Sequence, residues 1–143
     1  MNSIVPILFK NMIFSSFYLR NFKVCNRYYN LWLRLDESQA EDIDKKLFGL
    51  ILYYEQGERD LTHYRCRNLR YALNNFKKGN AFAAATEKFF SSGLLKTAGK
   101  KEEAEAFRDF YVKISAKKKI LEAAPRSGGF DYGEWIKNRS LIK

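Results

Sequence analysis

Residues 38–57 read SQAEDIDKKLFGLILYYEQG, and this stretch decides the fold class. Ser38 and Glu41 have the spacing of a capping box: the Ser hydroxyl accepts a backbone N–H three residues on, and the acid reaches back. Behind them Ala40, Ile43, Leu47, Leu50, Ile51 and Tyr54 recur at the three-and-four spacing of one helix face. Gly57 offers the left-handed residue that commonly ends such a helix.

Working outward, a second helix starts near Asp60, with Leu61, Tyr64, Leu69, Leu73 and Phe76 as its apolar stripe. Lys77, Lys78 and Gly79 suit its C-terminus, where cations meet the helix dipole. Residues 37–79 therefore read as a helical hairpin. Asn80 is placed to cap a short third helix through Ala81, Phe82, Ala85, Phe89 and Phe90. A charged fourth helix is expected from Lys100 to Ala123, with Ala104, Phe107, Tyr111, Ile114 and Leu121 as a narrow stripe. It must stop at Pro125, because the residue before a proline is disfavoured in the helical region. Ser127, Gly128 and Gly129 form a turn, and the tail holds one helical turn around Trp135. Upstream, Phe14 to Leu35 reads as one helix with Phe17, Val24, Tyr28, Leu31, Trp32 and Leu35 broadly on one side. There is no period-two alternation and no internal repeat. The expected fold is all-α, an extended helical subunit of about four or five helices, in three parts: 1–36, 37–79 and 80–143.

The chain has 143 residues, enough for one modest core. Apolar residues make up 46% and aromatics 16%, which excludes a disordered tail and predicts aromatic stripes larger than one small core covers. The formal charge of +10 favours an anionic or acidic partner. That charge is uneven. Met1 to Leu35 contains no acid, only Lys10, Arg20, Lys23, Arg27 and Arg34. A basic, acid-free leader rich in Phe and Ser has the composition of a mitochondrial targeting segment. The other reading is an arm lying on lipid head groups or phosphate. The apolar clusters Ile4–Phe9 and Met12–Leu19 are each too short to span a bilayer.

Chemistry is hard to find. Cys25 and Cys66 are far apart, without metal or redox spacing. His63 is the single histidine and lacks ligand or nucleophile partners. Gly93–Lys101, GLLKTAGKK, fails as a phosphate loop: its glycines are one residue too far apart, and Lys101 stands where Ser or Thr must hold magnesium. Glu102, Glu103 and Glu105 read as a solvated helix face. No catalytic, cofactor-binding or metal-binding residue is expected, and the chain is not expected to be an enzyme. Arg65, Arg67 and Arg70, with Tyr64 and Tyr71 nearby, are the candidate anion-binding cluster and the basis of an RNA-binding alternative.

The last part carries a resemblance. Lys88-Phe89-Phe90-Ser-Ser-Gly-Leu94 looks like a hydrophobic-basic opening segment, and Lys96 to Ala106 like a polar stretch. Phe107-Arg108 opens a helical run to the Pro125 turn, and Asp131-Tyr132-Gly-Glu-Trp135-Ile136 closes it. In order and spacing, residues 87–143 resemble the N-terminal part of mitochondrial ATP synthase subunit d, a stator protein. The resemblance implies a non-catalytic structural subunit on the matrix side of the mitochondrial inner membrane. It also implies that Phe89, Phe90, Phe107, Arg108, Tyr111, Asp131, Tyr132 and Trp135 bind other subunits of a large complex. A second likeness joins Leu33-Arg34-Leu35-Asp36, the helix at Asp42–Leu47 and Arg67-x-x-Arg70-Tyr71-Ala72 to the small matrix-side subunit of cytochrome bc1. Three readings stay open: the ATP synthase peripheral stalk, a mitochondrial ribosomal or other RNA-binding protein, and an accessory respiratory subunit.

Overall fold

Ser38 caps its helix as its position demands, its hydroxyl accepting from the Glu41 N–H at 3.2 Å. In the computed structural model, which describes residues 4–36, 38–95, 99–126 and 129–141, that helix is the centre of the molecule. Eight helices follow one another, with no strand among the described residues: α1 (Ile4–Tyr18), α2 (Phe22–Leu33), α3 (Gln39–Glu55), α4 (Arg59–Asn74), α5 (Ala81–Ser91), α6 (Lys100–Ala116), α7 (Lys118–Glu122) and α8 (Tyr132–Ser140). The fold is all-α.

The count exceeds the expected four or five because local chemistry divides two of the expected helices. The run Phe14–Leu35 breaks at Arg20, which adopts the left-handed conformation at φ 57°. There the Asn21 N–H donates to the Ser16 carbonyl at 2.8 Å and the Arg20 N–H to that of Phe17 at 3.0 Å. These bonds satisfy the last carbonyls of α1 in the arrangement that normally places glycine at the turn. Asn21 then caps α2 through the Val24 N–H. The run Lys100–Ala123 breaks at Lys117, whose backbone is extended. This turns α7 back against α5 and α6. Gly57, with φ 72°, ends α3 as expected. The tail is longer than one turn: Asp131 accepts from the Glu134 N–H at 3.0 Å and opens the nine-residue α8. Ser127 and Gly128 of the expected turn lie outside the described residues.

α3 explains why the helices fold back on one another instead of forming the expected extended chain. Leu47, Phe48, Leu50, Ile51 and Leu52 are fully buried on its several faces. Each such side chain contributes roughly 1.5–3 kcal/mol of burial. At its middle, Phe48 meets Phe14, Phe17 and Phe130 with ring centroids 5.1–5.5 Å apart. Toward its end, Tyr54 meets Phe90, Phe107 and Trp135. One core therefore joins residues from Ile13 to Ile136. Residues 1–36 include no free arm among those described, since α1 and α2 supply Ile13, Phe14, Phe17, Tyr29 and Trp32 to that core.

Candidate functional site

A groove of about 860 Å³ runs between α4–α5 on one side and α6–α7 on the other. Phe89 from α5 and Phe110 from α6 stack in parallel at its base, with centroids 4.4 Å apart and planes 2° apart. Leu73, Ala85, Ala106 and Ile120 extend the apolar lining. These residues meet because the stripes of α5 and α6 face each other and the bend at Lys117 brings Ile120 alongside. The α6 edge carries Glu102, Glu105 and Asp109 in its first part and Lys113 and Lys117 at its far end, and Arg70 and Lys88 stand on the α4–α5 edge. The spacing of those acids places all three on one face of α6.

Behind α5 lies a second aromatic group. Trp135 packs edge-on against Phe107 at 5.6 Å and lies nearly parallel to Phe90 at 6.5 Å. Its indole Nε1–H donates to Glu55 Oε1 at 2.8 Å. Glu55 also accepts from Arg20 at 3.0 Å and from Arg139 at 3.4 Å. Arg139 donates in addition to Glu103. Burial opposes the Arg139 charge, but the Glu55 and Glu103 carboxylates outweigh it and hold its pKa above the ordinary guanidinium value. Tyr54 beside it is pushed up, first by burial and then by the Glu103 charge. Deeper in, the Tyr132 hydroxyl donates to Asp44 Oδ1 at 2.6 Å. Burial, then the Asp44 charge, keeps Tyr132 protonated far above its usual range.

The residues expected to bind partners divide three ways. Phe89, Phe107, Tyr132 and Trp135 are buried within this chain. The chain's own core, larger than expected, covers most of the aromatic stripe. Phe90 and Tyr111 are half-buried. Arg108 and Asp131 are exposed; Arg108 donates to the Ser140 carbonyl at 3.1 Å and Asp131 caps α8. Phe107, Phe90 and Trp135 do come together. Tyr111 and Asp131 sit apart from them, at a smaller cleft of about 630 Å³ with Tyr18 and Pro125.

The arginines do not converge. Arg65 lies over the rings of Tyr29, Tyr53 and Tyr64 at 5.4–5.8 Å. Arg70 is held by Glu87 at 2.5 Å, and Arg67 alone of the three extends into solvent without a described ion pair. Their spacing on α4 gave no sign that the first would be taken up by tyrosines. Sequence reasoning also missed Glu55, Asp44 and Arg139, whose partners lie 35 to 88 residues away. Glu103, expected on a solvated face, belongs to that network.

No cluster of three or more metal-ligating side chains exists among the described residues. Burial raises both thiols, Cys25 and Cys66, to about 11, so neither is an activated nucleophile at neutral pH. His63 is exposed on α4. No helix among the described residues is long and apolar enough to cross a membrane. Comparison with protein-family models, curated proteins and solved structures finds no match.

Proposed function

We propose that this chain is a non-catalytic structural subunit of a mitochondrial inner-membrane energy-converting complex, and that the complex is the ATP synthase, with the chain in its peripheral stalk on the matrix side. The observation that carries the structural role is the α4–α7 groove: an open, apolar-floored channel with charged edges. Its walls are helices of 11 and 17 residues, about 16 and 25 Å long. A partner helix three to four turns long fits that span, with its apolar stripe on the half-buried Leu73, Ala85, Ala106 and Ile120 above the Phe89–Phe110 floor. The Glu102, Glu105 and Asp109 part of the edge asks for Lys or Arg on the facing side of that helix, and Lys113 and Lys117 for an acid at its other end. The assignment to ATP synthase rests on the resemblance of residues 87–143 to subunit d. The basic, acid-free first 35 residues support the mitochondrial location.

The Arg70–Glu87 pair and the packing of Arg65 on tyrosines leave little continuous basic surface on α4, which favours protein binding over RNA binding. Mass spectrometry of natively separated mitochondrial complexes tests the proposal. Co-migration with ATP synthase is expected. Co-migration with ribosomes would establish the RNA-associated alternative, and co-migration with cytochrome bc1 the accessory-subunit alternative.

A further inference from the structure

Helix α1 is apolar nearly all the way round, IVPILFKNMIFSSFY. A helix of that kind is normally buried on every side. Here only one side is covered. Ile13, Phe14 and Phe17 point into the core, while Ile7, Leu8, Met12 and, just past the helix end, Leu19 form a ridge along the opposite face, Leu8 54% and Leu19 81% exposed; Tyr18 turns to the side, its ring stacked on Phe130. Their spacing is that of a single helical stripe.

α2 packs beside α1 as the other arm of a hairpin, with Cys25 Sγ 3.3 Å from the Ile13 carbonyl. It seats Cys25, Tyr29 and Trp32 on the core. Its outward face therefore carries Lys23 and Arg27, both exposed. Lys10 and Arg20 are engaged with Glu41 and Glu55. No ion pair among the described residues engages Lys23 or Arg27.

We infer that the α1–α2 hairpin docks its outer face on an anionic bilayer surface, α1 lying in the plane of the interface with its ridge among the acyl chains near the head groups. Two features choose this occupant. An aliphatic ridge gains from entering hydrocarbon and gains nothing from a phosphate backbone, which sets RNA aside. The exposed Lys23 and Arg27 on the neighbouring arm, in a sequence stretch with no acid, match lipid phosphates and would repel a second copy of the hairpin. The 15-residue α1 is too short to span a bilayer, which agrees with an in-plane position. This inference stands whichever complex the chain joins.

The test is co-sedimentation of the purified full chain with phosphatidylcholine vesicles, with and without about one-third phosphatidylglycerol. Binding to the anionic vesicles is expected to be at least about tenfold tighter and to weaken with salt. Lys23→Gln/Arg27→Gln should weaken it roughly thirtyfold, from two surface charges. Leu8→Ser/Met12→Ser/Leu19→Ser should weaken binding to both vesicle types by about tenfold or more. All five positions are outward-facing, so both variants should keep the wild-type thermal transition. Unchanged vesicle binding in the folded triple variant would overturn the inference. So would tighter binding to a single-stranded RNA than to vesicles at equal salt, or a dimer in solution that the triple variant dissolves. Failure here, with co-migration intact, would leave the proposed function standing.

Discussion

The indole of Trp135 donates to the Glu55 carboxylate at 2.8 Å, across 80 residues of sequence. This bond fixes α8 to the end of α3, and through Arg20 and Arg139 the same carboxylate also ties in the α1–α2 turn and α6. Trp135→Ala should destabilise the chain by about 3–5 kcal/mol. Trp135→Phe, which keeps a ring but leaves Glu55 short of a donor, should cost about 1–3 kcal/mol. Asp131→Ala, which removes only the α8 cap, should cost about 0.5–2 kcal/mol. Urea unfolding of the three variants gives the order directly, and an Asp131→Ala loss larger than that of Trp135→Ala would contradict it.

Gly49 lies mid-helix in α3, where alanine would ordinarily help. A Cβ there would run into the Tyr29 hydroxyl. That hydroxyl is fully buried and donates to the Lys45 carbonyl at 2.8 Å, and its ring is packed on Trp32 and Phe48. Gly49→Ala should therefore destabilise by about 1–3 kcal/mol. Tyr29→Phe should relieve part of that loss in the double variant, a coupling that a double-mutant cycle reads.

Alkaline pH should unfold the chain. The Cys25 and Cys66 thiols move from 9.0 to about 11 on folding because burial disfavours the thiolate. Between those values the unfolded chain has lost protons that the folded chain keeps, so stability falls as pH rises. It is fully present below about pH 9 and declines through about pH 11. Buried Tyr29, Tyr54 and Tyr132 extend the decline upward. Cys25→Ala/Cys66→Ala should flatten the first part of the curve by about 1–3 kcal/mol per site, measured as unfolding free energy against pH.

The groove should matter for assembly and not for folding. Glu105→Lys/Asp109→Lys reverses two exposed charges on its α6 edge and should leave the thermal transition within a few degrees of wild type. Incorporation into the native complex should fall sharply. Arg67→Ala, on the exposed face of α4, should incorporate normally. The reverse pattern would move the binding surface from the groove to the arginine helix.

Much of the fold is legible in the sequence because its signals are local. Ser38, Asn80 and Asp131 each cap the helix that follows by accepting from a backbone N–H three residues on. Gly57 turns left-handed where the α3 stripe ends. The break at Arg20 is not legible, since a charged residue takes a conformation that usually needs glycine, and the turn's backbone bonds, the Arg20–Glu55 pair and the packing of α1 against α2 compensate it. The aromatic stripes were visible as stripes. Whether Phe107 and Trp135 face a partner or each other depends on how α3, α6 and α8 meet. The same holds for Arg65, whose neighbours Tyr29 and Tyr53 come from two other helices.

In the proposed role the α4–α7 groove holds a helix of a stator partner. Cross-linking mass spectrometry on intact inner membranes measures this most directly, because Lys88, Lys113 and Lys117 all line the groove. These lysines are predicted to cross-link to one amphipathic helical segment of an ATP synthase stator subunit, and Glu105→Lys/Asp109→Lys should abolish those links. Links from the groove to ribosomal proteins, or stator links that arise only from other faces of the chain, would contradict the account.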